Sequence, residues 1–110
     1  MFDFLKSTFA KSYEDLSGSE FRKKFEATKN AVLLDVRTAG EFSSGTIKGA
    51  KNIDFMAADF SKKIEQLDKS KEYFLFCRSG NRSGRACEIM SSNGFKSYNL
   101  AGGISAWSEN

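Results

Sequence analysis

Cys77 directly follows the apolar run Tyr73-Phe74-Leu75-Phe76 and precedes Arg78-Ser79-Gly80-Asn81-Arg82-Ser83. A thiol at the end of such a run, then a loop of small and turn-forming residues with two arginines, suits a nucleophile set in an anion cradle. Successive backbone N–H groups in a loop of this kind point inward as an anion-binding nest. A helix opening at the end of the loop adds about half a positive charge at its N-terminus. Together with Arg78 and Arg82, these effects are expected to lower the Cys77 pKa and populate the nucleophilic thiolate. One loop would then supply the nucleophile and, over Arg78–Ser83, the binding groups for a small anionic substrate. Cys87 lies on an expected helix whose apolar face includes Ala86 and Met90. Its expected role is packing.

What the chain lacks narrows the chemistry further. Without histidine there is no Ser-His-Asp triad, no Cys-His pair and no histidine-ligated metal. Two cysteines cannot build a Cys₄ zinc site. Neither a metal nor an organic cofactor is therefore expected. Seventeen basic residues against 14 acidic give a net charge of +3, with both signs interspersed. Arg22-Lys23-Lys24 and Lys62-Lys63 read as solvated helix faces rather than as a nucleic-acid footprint. No apolar run approaches the roughly 18 residues of a membrane span. MFDFLKSTFAK has no signal-peptide pattern, and two thiols fit a reducing cytoplasm. Nucleic-acid and membrane partners are thus not expected.

The elements that must hold the loop can be read outward from it. Ser17 and Glu20 form an S-x-x-E capping box, with Leu16 and Phe21 spaced as a hydrophobic staple, and predict a helix over 18–28. AVLLDV (31–36) reads as a strand buried on both faces, the habit of parallel sheets covered by helices. Thr38 and Glu41 repeat the capping-box spacing before a short helix that Gly45 stops. A strand is expected within 50–53. Phe60, Ile64 and Leu67 at i, i+4 and i+7 predict a helix over 56–69. A strand over 73–76 ends at Cys77, a helix over 82–92 closes at Asn93-Gly94, and a last strand falls within 95–100. Gly102-Gly103 make a turn before a terminal helical turn. Strand and helix alternate throughout, which predicts a three-layer α/β/α domain with a mainly parallel central sheet. The domain is placed at 17–110, with 1–16 as an N-terminal extension of helical pattern. Eleven phenylalanines predict a core filled largely by rings.

CRSGNRS, with the following GRACEIMSSNGFKSYNLAGGISAW, resembles the active-site half of the rhodanese (sulfurtransferase) family. LLDVRTAGEFSSGTIKGAKNID resembles that family's first signature. The likeness covers about residues 17–108. It implies a rhodanese-like fold and a Cys77 that accepts a sulfane sulfur, becomes a persulfide, and is held by groups over Arg78–Ser83. The implied partners are a small anionic donor such as thiosulfate and a thiol or cyanide acceptor, the thiol borne by a small molecule or a protein. Asp35, Arg37 and Glu41 match the first signature and are expected to be structural near the site. Thr46 and Lys48 stand where the family commonly has His and Pro.

Three other functions compete with this one. Dual-specificity phosphatases sharing the fold place one more residue between the nucleophile and the phosphate-binding arginine than the four residues, 78–81, found here. The shorter loop makes a tighter cradle, better fitted to a sulfur than to a phosphoryl group. Rhodanese-like binding modules commonly lack the cysteine that this chain retains. Protein-to-protein sulfur relay stays open beside small-molecule turnover.

Overall fold

A computed structural model describes residues 13–107. The elements run β1 (Glu14–Leu16), α1 (Gly18–Ala27), β2 (Ala31–Asp35), α2 (Ala39–Ser44), β3 (Lys51–Asn52), α3 (Phe60–Glu65), β4 (Glu72–Phe76), α4 (Asn81–Ser92), β5 (Lys96–Leu100) and a 3₁₀ turn (Ile104–Ala106). The five strands form one sheet in the order β1-β5-β4-β2-β3, and every pairing is parallel. β4 therefore lies at the centre, with Leu75 opposite Leu34 of β2 and Asn99 of β5. Cys77 emerges from the carboxyl end of this middle strand, where ligands of open parallel sheets bind. The α/β architecture is as the sequence predicts.

Side chains alternate across the pleat and divide the core in two. Tyr73, Leu75 and Cys77 join Phe60, Ile64, Ala86, Cys87, Met90 and Phe95 on the face covered by α3 and α4. Phe74 and Phe76 join Phe21, Leu33, Tyr98 and Leu100 on the face covered by α1. The rings meet edge to face, as Phe21 and Phe74 do at 5.4 Å between centroids, or stack, as Phe74 and Tyr98 do at 4.5 Å.

Both capping boxes form. Ser17 Oγ accepts from the Glu20 amide and Glu20 Oε1 accepts from the Ser17 amide. Thr38 and Glu41 do the same at the start of α2. The helix expected over 56–69 is shorter than its periodicity suggests. Asp54 accepts the Met56 amide at 2.8 Å, and turns close from Asp54 to Ala57 and from Ala57 to Phe60. This aspartate turn competes with the helix, which runs only from Phe60 to Glu65. Phe60 and Ile64 still enter the core. The strand expected within 50–53 is reduced to Lys51–Asn52 at the sheet edge. Most of the expected extension lies outside the described residues. Its last part, Glu14–Leu16, is a strand rather than a helix, and pairs with β5 from Tyr98 to Leu100.

Candidate active site

Cys77 is one residue past β4, and its carbonyl is captured by the Ile104 amide at 2.8 Å. The chain then turns through Gly80, whose φ of 100° and ψ of −10° are left-handed, and enters α4 at Asn81. A side chain here would be strained, and a Cβ would lie 3.2 Å from the Gly102 nitrogen and 3.3 Å from the Leu100 oxygen. The turn aims three donors at the thiol sulfur. Gly80 N lies 3.0 Å from Cys77 Sγ, Ser83 Oγ 3.3 Å and Ser83 N 3.4 Å. Burial alone would push the Cys77 thiol up. The hydrogen bonds from the Ser83 hydroxyl and the Ser83, Gly80 and Ser79 amides outweigh it, so the pKa falls below the ordinary thiol value.

Of the sequence-predicted loop residues, Gly80 and Ser83 thus reach the sulfur, and Ser79 adds its amide. Arg78 and Asn81 are exposed. Arg82 points its guanidinium at Glu41 of α2, with Nη1 donating to Oε1 at 3.0 Å and Nη2 to Oε2 at 3.4 Å. The pair is partly exposed. Arg82 and the Thr38 amide together hold the Glu41 carboxyl at about 2, far below the usual carboxylate range. The charge of Cys77 in turn helps to raise the Arg82 pKa, after the larger effect of Glu41.

Asp35 and Arg37 do not touch the sulfur. Arg37 Nε donates to Asp35 Oδ1 at 2.9 Å and Nη2 donates to Oδ2 at 2.7 Å; Nη2 also donates to the Gly45 carbonyl at 2.6 Å. Thr46, one of the two residues departing from the resembled pattern, donates its hydroxyl to Asp35 Oδ2 at 2.8 Å. Asn52 spans the Asp35 and Arg37 carbonyls. This knot ties the end of β2 to the loop after α2, the helix that supplies Glu41. Cys87 is buried in the core beside Ala86 and Met90, and burial pushes its thiol up to about 12. It stays protonated across the physiological range.

Gly103, read from the sequence only as part of a turn, and Asn99, not singled out there, complete the surroundings. Gly103 has a φ of 79°, and a Cβ there would fall 1.9 Å from the Arg78 carbonyl oxygen. The second glycine of the pair thus lets the 3₁₀ turn sit directly against the loop. Asn99 of β5, nearly fully buried, contacts Ser83, Gly80 and Asp15. A polar residue inside an otherwise apolar strand end was the available signal for it.

The sequence profile of the rhodanese-like domain family matches residues 17–110. YtwF, a Bacillus subtilis protein, is 39% identical over 94 residues, covering 86% of this chain and 89% of that one. The thiosulfate sulfurtransferase GlpE of Shewanella oneidensis is 31% identical over 99 residues, covering 89% and 95%. Among solved structures, a rhodanese-like domain protein from Staphylococcus aureus superposes with a TM-score of 0.75 at 28% identity, covering 88% of this chain and 93% of that one. A rhodanese-related protein from Thermoplasma volcanium gives 0.75 at 28% identity, covering 86% and 90%.

Proposed function

The chain belongs to the rhodanese-like family, and on that premise we propose that it is a thiosulfate:acceptor sulfurtransferase carrying sulfane sulfur as a persulfide on Cys77. The observation behind this reading is the convergence of two amides and a hydroxyl on one buried thiol at the carboxyl end of the central strand. Those donors stabilise the thiolate that must attack. After transfer the loop amides remain beside the persulfide, whose charged outer sulfur needs donors of the same kind.

The cycle has two displacements. The Cys77 thiolate attacks the outer sulfur of thiosulfate, a Cys77 S–S bond forms, the thiosulfate S–S bond breaks, and sulfite leaves with the bonding pair. An acceptor thiolate or cyanide then attacks the outer sulfur of the persulfide. Acceptor persulfide or thiocyanate departs, and the Cys77 thiolate returns. Arg78, exposed beside the nucleophile, attracts the dianionic donor, while Arg82, held by Glu41, adds a fixed positive charge that interacts with Cys77. The scheme needs no metal or organic cofactor.

Steady-state kinetics with thiosulfate and cyanide test this reading. A covalent intermediate gives parallel double-reciprocal lines, because sulfite leaves before the acceptor binds. Intersecting lines would contradict it. Relay to a protein thiol is a second reading, supported by similarity to a Bacillus subtilis protein whose name describes a sulfur carrier, 29% identical over 99 residues. The chain covers 52% of that protein. Faster unloading of the persulfide by a protein thiol than by cyanide favours relay.

A further inference from the structure

The Ser83 hydroxyl has one hydrogen and two acceptors. Its oxygen lies 3.3 Å from Cys77 Sγ and 2.5 Å from Asn99 Oδ1. The orientation of the Asn99 amide follows from its other partners. Nδ2 donates to Asp15 Oδ1 at 2.8 Å and to the Gly80 carbonyl at 3.2 Å, so the carbonyl end must face Ser83. The amide is thus pinned between the edge strand β1 and the turn that shapes the cradle, and it offers Ser83 an acceptor that cannot become a donor. Ser83 and Asn99 are both buried, so water does not readily replace either partner.

We infer that Asn99 is a positioning residue that acts on Cys77 through Ser83, competing with the sulfur for the serine hydrogen. When Sγ is neutral, as a thiol or as the inner atom of a persulfide, the hydrogen rests on Asn99 Oδ1. When Sγ is a thiolate, the hydroxyl rotates and donates to the sulfur. No proton leaves Ser83 in either position; only the direction of its O–H bond changes. Asn99 therefore supports the neutral states of the sulfur, while the Gly80 and Ser83 amides serve every state. This device rests on reading Cys77 as the nucleophile, but it is measurable without sulfur transfer.

The other groups around the sulfur constrain the experiment. Arg82 and Cys87, both of α4, interact with Cys77 through charge. Glu41 of α2 reaches the site through Arg82, and Asp15 of β1 stands behind Asn99. Replacing Asn99 alone removes none of these groups, but it takes the Asn99 Nδ2 donor away from Asp15 and from the Gly80 carbonyl, a change that the Ser83→Ala background shares. The Gly80 carbonyl also keeps the helix hydrogen bond from the Gly84 amide at 3.0 Å.

Ultraviolet thiolate absorbance, titrated against pH with Cys77→Ala as the blank, reads the effect in the full chain. Asn99→Leu, close in volume, removes the competing acceptor and is expected to lower the Cys77 midpoint by about half a unit to one unit, the equivalent of one net hydrogen bond. Ser83→Ala is expected to raise the midpoint by about one unit on the same basis. Adding Asn99→Leu to Ser83→Ala is expected to move it no further. Asn99→Val, smaller and suited to a strand, carries the same expectations if the leucine variant fails to fold. An unchanged or raised midpoint in the single Asn99 variants overturns the proposal. So does a downward shift that persists without the Ser83 hydroxyl. Loss of sulfur loading with the midpoint pattern intact would instead count against the sulfurtransferase reading and leave this one standing.

Discussion

Gly80→Ala separates the role of the loop backbone from that of its charges. The left-handed turn costs an alanine about 1–2 kcal/mol relative to a relaxed conformation. Its Cβ would also press on the Gly102 nitrogen at 3.2 Å and the Leu100 oxygen at 3.3 Å. Those atoms are backbone at the end of β5, and the Gly103 amide holds the Leu100 carbonyl at 3.1 Å, so they have little room to give. The loop must shift instead, carrying the Gly80 amide away from its 3.0 Å contact with Cys77 Sγ. A hydrogen bond to a charged sulfur contributes about 1.5–3 kcal/mol, equivalent to about one to two pKa units. The Cys77 midpoint should therefore rise by about one to two units, and kcat/KM measured below it should fall about ten- to a hundredfold. Thiolate absorbance against pH and steady-state kinetics check the two quantities on the same preparation. A variant with an unchanged midpoint and unchanged kcat/KM would refute the claim that the turn activates the thiol.

Further expectations follow from the same geometry. Cys77→Ser should abolish turnover, whereas Cys87→Ala should retain it and cost roughly 1 kcal/mol in denaturant unfolding as an ordinary core truncation. With Cys87 pushed up to about 12, thiol alkylation near neutral pH should modify Cys77 alone, as peptide mapping would reveal. Arg78→Ala should mainly raise KM for thiosulfate, with the difference from wild type shrinking as salt rises, because that charge is exposed and screened. Arg82→Ala should lower kcat/KM by about tenfold or more and respond less to salt, since its guanidinium is fixed by Glu41 rather than free in solvent. The depressed Glu41 carboxyl favours the folded state above the ordinary glutamate pKa and loses that effect as pH falls toward about 2. Glu41→Gln retains a side chain able to complete the capping box. It should flatten this acid limb in unfolding curves collected across pH, and an unaltered limb would exclude the Arg82 pair as its source.

The fold was legible wherever local chemistry and tertiary packing agree. The Ser17 and Thr38 caps fix helix starts through nearby backbone groups, so three-residue spacing suffices to find them. AVLLD and YFLF read as central strands because both their faces are covered. Periodicity overran at 56–69, where the apolar positions of a short helix and its flanking turns keep a helical spacing while Asp54 holds the chain in turns. Glu14–Leu16 offered too few residues to reveal a strand whose pairing with β5 spans most of the chain. The loop from Cys77 to Ser83 was legible as a unit because its sequence is contiguous. The partners of its side chains were not, since Arg82 meets Glu41 and Ser83 meets Asn99 only once the sheet brings β2, β4 and β5 side by side. The sequence points to the loop amides, the helix start and both arginines as activating the thiol. The amides do contribute, and the Ser83 hydroxyl, which the sequence does not single out for this, contributes most among the hydrogen bonds.

Intact-protein mass spectrometry after brief exposure to thiosulfate, with peptide mapping under non-reducing conditions, tests the persulfide most directly. The account predicts a gain of one sulfur atom per chain, located on Cys77, absent from Cys77→Ser, present in Cys87→Ala, and removed by cyanide as thiocyanate forms. Thiocyanate production by a chain that never carries the added sulfur on Cys77, or that carries it on Cys87, would contradict it.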